Sequence, residues 1–133
     1  NRADILTVSR NRDMILIQRT YVLKAHLRGG RIMDYTFKQV LDAFSEYIND
    51  SRYMDVCHTK FGYAVLHYDP DKDSFVYAPN IIRTPSDMLQ CMREEIVLDV
   101  LRGTGRDLEE ATREELKKIA DTTNLYMNRL YCS

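Results

Sequence analysis

Hydrophobic positions along the chain fall into three helical stripes and one alternating pair of runs. Phe37, Val40, Leu41, Phe44, Tyr47 and Ile48 recur at the spacing of one helix face. Thr36 through Gln39 has the form of a capping box before them, and Tyr35 and Val40 are placed as a hydrophobic staple. Asn49-Asp50-Ser51 ends the stripe. A second helix is announced by Thr84-Pro85-Ser86-Asp87, with Thr84 as N-cap, Pro85 at the first helical position and Asp87 at the positive helix end. Its stripe is Met88, Leu89, Met92, Ile96, Val100 and Leu101, and Gly103 follows as a left-handed terminator. A third runs from Thr112, with a capping box to Glu115, to about Tyr131, its stripe being Leu116, Ile119, Ala120, Thr123, Met127 and Leu130.

Between the first and second helices, the β-branched and aromatic runs Phe61 to Tyr68 and Phe75 to Ala78 predict a hairpin. Asp69-Pro70-Asp71-Lys72-Asp73-Ser74 is its turn. The register is open: an odd loop puts Tyr63 and His67 on one face with Phe75 and Tyr77, and an even loop separates them. Residues 51–59 carry no clear pattern, and one short helical turn is expected around Arg52–Val56. The N-terminal stretch is ambiguous. Asn11-Arg12-Asp13 can cap a helix ending at Arg28 before Gly29-Gly30, yet the apolar residues from Met14 to Leu27 fall all around a helical wheel. A helix over 12–28 is the preferred reading, with a strand through Met14–Ile17 as its rival and a third sheet strand somewhere in residues 5–17. Together these elements predict an α+β domain of about four helices packed around a central antiparallel β-hairpin. The helix, helix, short helix, hairpin order loosely resembles a winged-helix layout, which would put Gln39 or Arg52 near a recognition element and Asp69–Ser74 at the wing tip. Three carboxylates at that tip would oppose a phosphate backbone.

The 133 residues fit a single globular domain, 1–133, large enough to bury a core without staples. The start at Asn1 rather than Met suggests a piece of a longer chain. Cys57, Cys91 and Cys132 are odd in number and far apart, which predicts free thiols in a reducing, cytoplasmic setting. The longest apolar run, Met14 to Ile17, is too short for a bilayer, so no membrane partner is expected.

Charge is where the chain departs from the ordinary. Residues 1–31 hold seven basic side chains (Arg2, Arg10, Arg12, Arg19, Lys24, Arg28 and Arg31) against Asp4 and Asp13, a balance of +5 that leaves −6 for the rest of a chain of net −1. Arg12, Arg19, Lys24, Arg28 and Arg31 are therefore the candidate contacts for an acidic protein or a nucleic acid, guanidiniums being suited to anionic oxygens. The opposing reading is a solvated face, or pairing with the acidic remainder.

No motif supports an enzyme. Cys57 and His58 are neighbours and cannot face each other on a helix or a strand, so an enzyme would need Cys57 or His67 with a partner the spacing does not supply. Asp69, Asp71 and Asp73 imitate the opening of a calcium loop, but Ser74 and Asn80 stand where Gly and Glu are required. No metal or cofactor is expected, and the adjacent pairs Glu94-Glu95 and Glu109-Glu110 read as solvated charge. Nine tyrosines and no tryptophan suit either the edge of a small core or an interface. The expected function is a non-enzymatic binding or regulatory module docking a macromolecular partner through its basic N-terminal face. The alternative is a homodimeric interaction domain.

Overall fold

A computed structural model describes the backbone of residues 27–28 and 31–32 and the whole of residues 34–132. Two short strands, β1 (Leu27–Arg28) and β2 (Arg31–Ile32), pair antiparallel and precede helices α1 (Phe37–Ala43) and α2 (Ser45–Asp50). Strands β3 (Met54–Thr59), β4 (Gly62–Asp69) and β5 (Ser74–Ile82) form an antiparallel sheet in that order, followed by α3 (Pro85–Leu101), a 3-10 turn over Leu108–Glu110 and α4 (Arg113–Tyr131). Among the described residues the architecture is α+β, with four helices and a central antiparallel sheet.

The three punctuated helices start where their caps direct. Thr36 and Gln39 bond reciprocally, as do Thr112 and Glu115, and the Thr84 hydroxyl accepts from the Asp87 N–H. The first stripe forms two helices rather than one. Ser45 Oγ donates to the Asp42 carbonyl at 3.0 Å, back-bonding of a kind that bends helices, and Phe44 turns out of helical geometry at φ −98° and ψ 9°. The backbone bonds from Phe44 to Val40 and from Ile48 to Phe44 persist across the bend, so the stripe stays on one side. Gly103, at φ +78°, supplies the left-handed residue after α3.

Three expectations need correction. Residues 54–56 are not helical: they open β3, an added strand beside the expected hairpin. That strand replaces the short helix on which the winged-helix resemblance depended. A helix over 12–28 cannot include Leu27 and Arg28, which form β1; its remainder, the rival strand at Met14–Ile17 and any strand within residues 5–17 lie outside the described residues. The expected α4 stripe is buried only at Thr123, Met127 and Leu130, while Leu116 is 46% exposed and Ile119 is partly buried against the smaller cluster of Val97 and Leu101.

The hairpin loop is even near its tip, with Tyr68 opposite Phe75 and His67 opposite Val76. Farther along, Val65 pairs with Asn80, so Leu66 alone on β4 faces Tyr77, Ala78 and Pro79 on β5. Pro79 has no N–H to give and sits within this bulge, and Tyr77 takes φ +64° to absorb the extra residues. Gly62, at φ +135°, is required at the β3–β4 turn, where a Cβ would meet the Ile82 carbonyl oxygen at 2.9 Å.

One face of the sheet, carrying Met54, Val56, Tyr63, Val65 and Ile82, packs on the helices. Val40, Phe44, Met88, Leu89, Met92, Ile96, Tyr126, Met127 and Leu130 complete the core, and a smaller cluster joins Val97 and Leu101 to Leu108 and Ile119. All three cysteines are free. Among the described residues no helix is long and apolar enough to cross a membrane.

Candidate functional site

Helix α3 carries a polar line along the face it turns toward the sheet and α2. Cys91, Glu95, Asp99 and Arg102 follow at intervals that keep one helix face. Glu95 is only 2% exposed, against the expectation of solvated charge. Its Oε1 accepts from His67 Nε2 of β4 at 2.5 Å, while Oε2 is buried with no hydrogen-bond partner among the described residues. That bond raises the His67 pKa, partly offset by burial. The exposed Tyr77 ring meets the His67 imidazole edge-on, with centroids 6.4 Å apart.

One turn farther on, the Tyr47 hydroxyl donates to Asp99 Oδ2, and Arg102 Nη2 donates to Asp99 Oδ1 at 2.7 Å. Burial, then the Asp99 carboxylate, pushes the Tyr47 phenol far above its ordinary range. Beside this pair opens a cleft of about 270 Å³ lined by Tyr47, Asp50, Ser51, Arg52, Tyr53, Asp99 and Tyr126. Tyr47 and Tyr126 stand at 62° to each other with centroids 5.6 Å apart.

The cysteines do not join this cluster as nucleophiles. Burial pushes the Cys91 thiol up to about 12. Cys57 pairs with Ala64 and His67 with Met54, which places Cys57 and His67 on opposite faces of the sheet. They cannot serve one another. His58 instead stacks on Tyr63 at 4.5 Å between centroids, and Tyr63 on Phe37 at 4.6 Å. Asp69, Asp71 and Asp73 form a plain turn, in which the Asp71 N–H donates to Asp69 Oδ1 at 3.0 Å and the Tyr68 hydroxyl to Asp73. No three metal-ligating side chains converge among the described residues.

Of the basic candidates, Arg12, Arg19 and Lys24 lie outside the described residues. Arg28 and Arg31 lie within them and are register partners of the β1–β2 pair, with Gly29-Gly30 between them in sequence. The Gly-Gly dipeptide was the available signal for this hairpin.

No protein-family model, curated protein or solved structure matches the chain.

Tyr47, Glu95 and Asp99 escaped the sequence reading. Tyr47 belongs to an apolar stripe, and Glu95 and Asp99 look like ordinary helix charge. The signal that could have found Glu95 and Asp99 is their place on the Met88–Met92 side of α3, three and seven residues beyond Met92.

Proposed function

We propose that this chain is a non-enzymatic binding module that docks an acidic surface on a macromolecular partner through its basic N-terminal stretch, Arg12, Arg19, Lys24, Arg28 and Arg31. The observation that carries this reading is the β1–β2 register, which sets Arg28 opposite Arg31. Two of the five basic positions then pair across adjacent strands, and arginine is the residue type suited to carboxylates. The rest of the chain is net −6 and its β4–β5 turn holds Asp69, Asp71 and Asp73, which disfavours the continuous phosphate lattice of a duplex. A localised acidic patch on a protein avoids that repulsion.

A second reading is supported by the same charge split: the +5 stretch of one copy meets the −6 region of another. Labelled poly-glutamate, duplex DNA and single-stranded RNA, each titrated with the full chain at low and physiological salt, separate these readings. Saturable, salt-sensitive binding of poly-glutamate in preference to the nucleic acids supports the acidic-protein reading. Preference for either nucleic acid overturns it. A concentration-dependent dimer mass with no binding to any probe favours the second reading.

A further inference from the structure

Two consecutive residues of β4 are both buried: Ala64 is 3% exposed and Val65 4%. Consecutive strand residues point to opposite faces of a sheet, so β4 is covered on both sides here. Val65 lies on the helix-backed face and belongs to the main core cluster, whereas Ala64 belongs to neither cluster. Its register partners Cys57 and Ile81 share its outer face, and Leu66, Tyr68 and Phe75 extend that face along the sheet. An antiparallel sheet with one solvated face alternates apolar with polar residues, yet here most outward positions are apolar as well. Phe75 is 62% exposed at the end of this face. Among the described residues, the helices of the main core cluster all pack on the other side.

We propose that this outer face is covered by the chain's own residues 1–26, with their apolar side chains seated against Ala64, Leu66 and Ile81. Ile5-Leu6, Met14 to Ile17 and Tyr21 to Leu23 supply apolar surface for that contact. The stretch leads directly into β1 at Leu27, so the contact is intramolecular and carries a high effective concentration. Its reach is ample: 26 residues extend to about 90 Å, and nine-residue β5 is about 30 Å long. Charge favours the same occupant. Residues 1–26 hold five basic side chains against Asp4 and Asp13, a balance of +3. Strands β3, β4 and β5 contain no Lys or Arg, while Asp55 is exposed on the outer face and Asp69, Asp71 and Asp73 sit at its end. Two copies of this face laid symmetrically together would instead bring those carboxylates toward one another. The proposal goes beyond the docking reading, because it assigns a place to the apolar residues of the stretch whatever its arginines contact.

Photo-crosslinking of the full chain tests it, with p-benzoylphenylalanine placed at Phe75 in one variant and at Leu66 in another. The expected result is an adduct between the probe and a peptide from residues 1–26, at the mass of a single chain. Iodoacetamide supplies a second readout on the unsubstituted protein: Cys57 on the covered face should react severalfold more slowly than exposed Cys132. Cys91 remains unlabelled as long as the domain is folded, which checks both crosslinking variants. No adduct into residues 1–26 from either position in folded protein, adducts at the mass of a dimer only, or Cys57 labelling as fast as Cys132 overturns the proposal.

Discussion

Glu95 of α3 and His67 of β4 join helix to sheet through one hydrogen bond of 2.5 Å, the carboxylate almost fully buried and the imidazole partly open to solvent. A buried carboxylate with one hydrogen-bond partner among the described residues depends heavily on that partner, because its desolvation is otherwise uncompensated. His67→Ala should therefore cost about 2–4 kcal/mol of unfolding free energy, more than a half-exposed histidine ordinarily contributes. Urea denaturation at pH 6 checks this.

The same pair sets a pH dependence with a definite sign. The folded-state pKa of His67 is raised, chiefly by its hydrogen bond to Glu95, so folding is favoured by proton uptake at this ring. The contribution is fully present below the ordinary histidine value of about 6.5 and is lost as pH rises through the higher folded value. The stability gap between the parent chain and Glu95→Gln should narrow between pH 6 and pH 9. A gap that widens with pH would contradict the assignment.

Thiol reactivity should follow burial. Cys132 is exposed, whereas burial pushes the Cys91 thiol up to about 12. Iodoacetamide at pH 8 should label Cys132 in the native protein, and label Cys91 only once the chain unfolds. Peptide mass spectrometry after a timed quench reads both sites in one sample.

Phe44 tests the packing model of the core. It is fully buried at the α1–α2 bend and stacks on Tyr126 with centroids 5.3 Å apart. Phe44→Ala should cost about 3–5 kcal/mol and Phe44→Leu markedly less, since Leu refills most of the volume. Thermal melts of the two variants give the comparison.

The parts of the fold legible in sequence were those with local chemistry. Thr36 with Gln39, Thr112 with Glu115 and Thr84-Pro85 marked helix starts because capping is settled within four residues. The Asp-rich turn marked the β4–β5 hairpin for the same reason. Strand β3 was not legible: it is six residues long, and the Lys60-Phe61 link to β4 has none of the usual turn residues. Its identity is fixed instead by pairing with β4, where Met54 and Val56 reach the core. The Tyr77–Pro79 bulge was hidden likewise, since register is a property of two strands. Of the site, the basic residues were visible as composition, whereas Glu95 and Asp99 acquire meaning only from His67 and Tyr47, 28 and 52 residues distant in sequence.

The most direct test of the binding reading is fluorescence anisotropy of labelled poly-glutamate against the full chain and its Arg28→Glu/Arg31→Glu double variant, across a series of salt concentrations. The account predicts binding that weakens with salt in the parent chain, and both weaker binding and a flatter salt dependence in the variant. Identical titration curves for the two proteins would remove Arg28 and Arg31 from the contact and contradict the proposal.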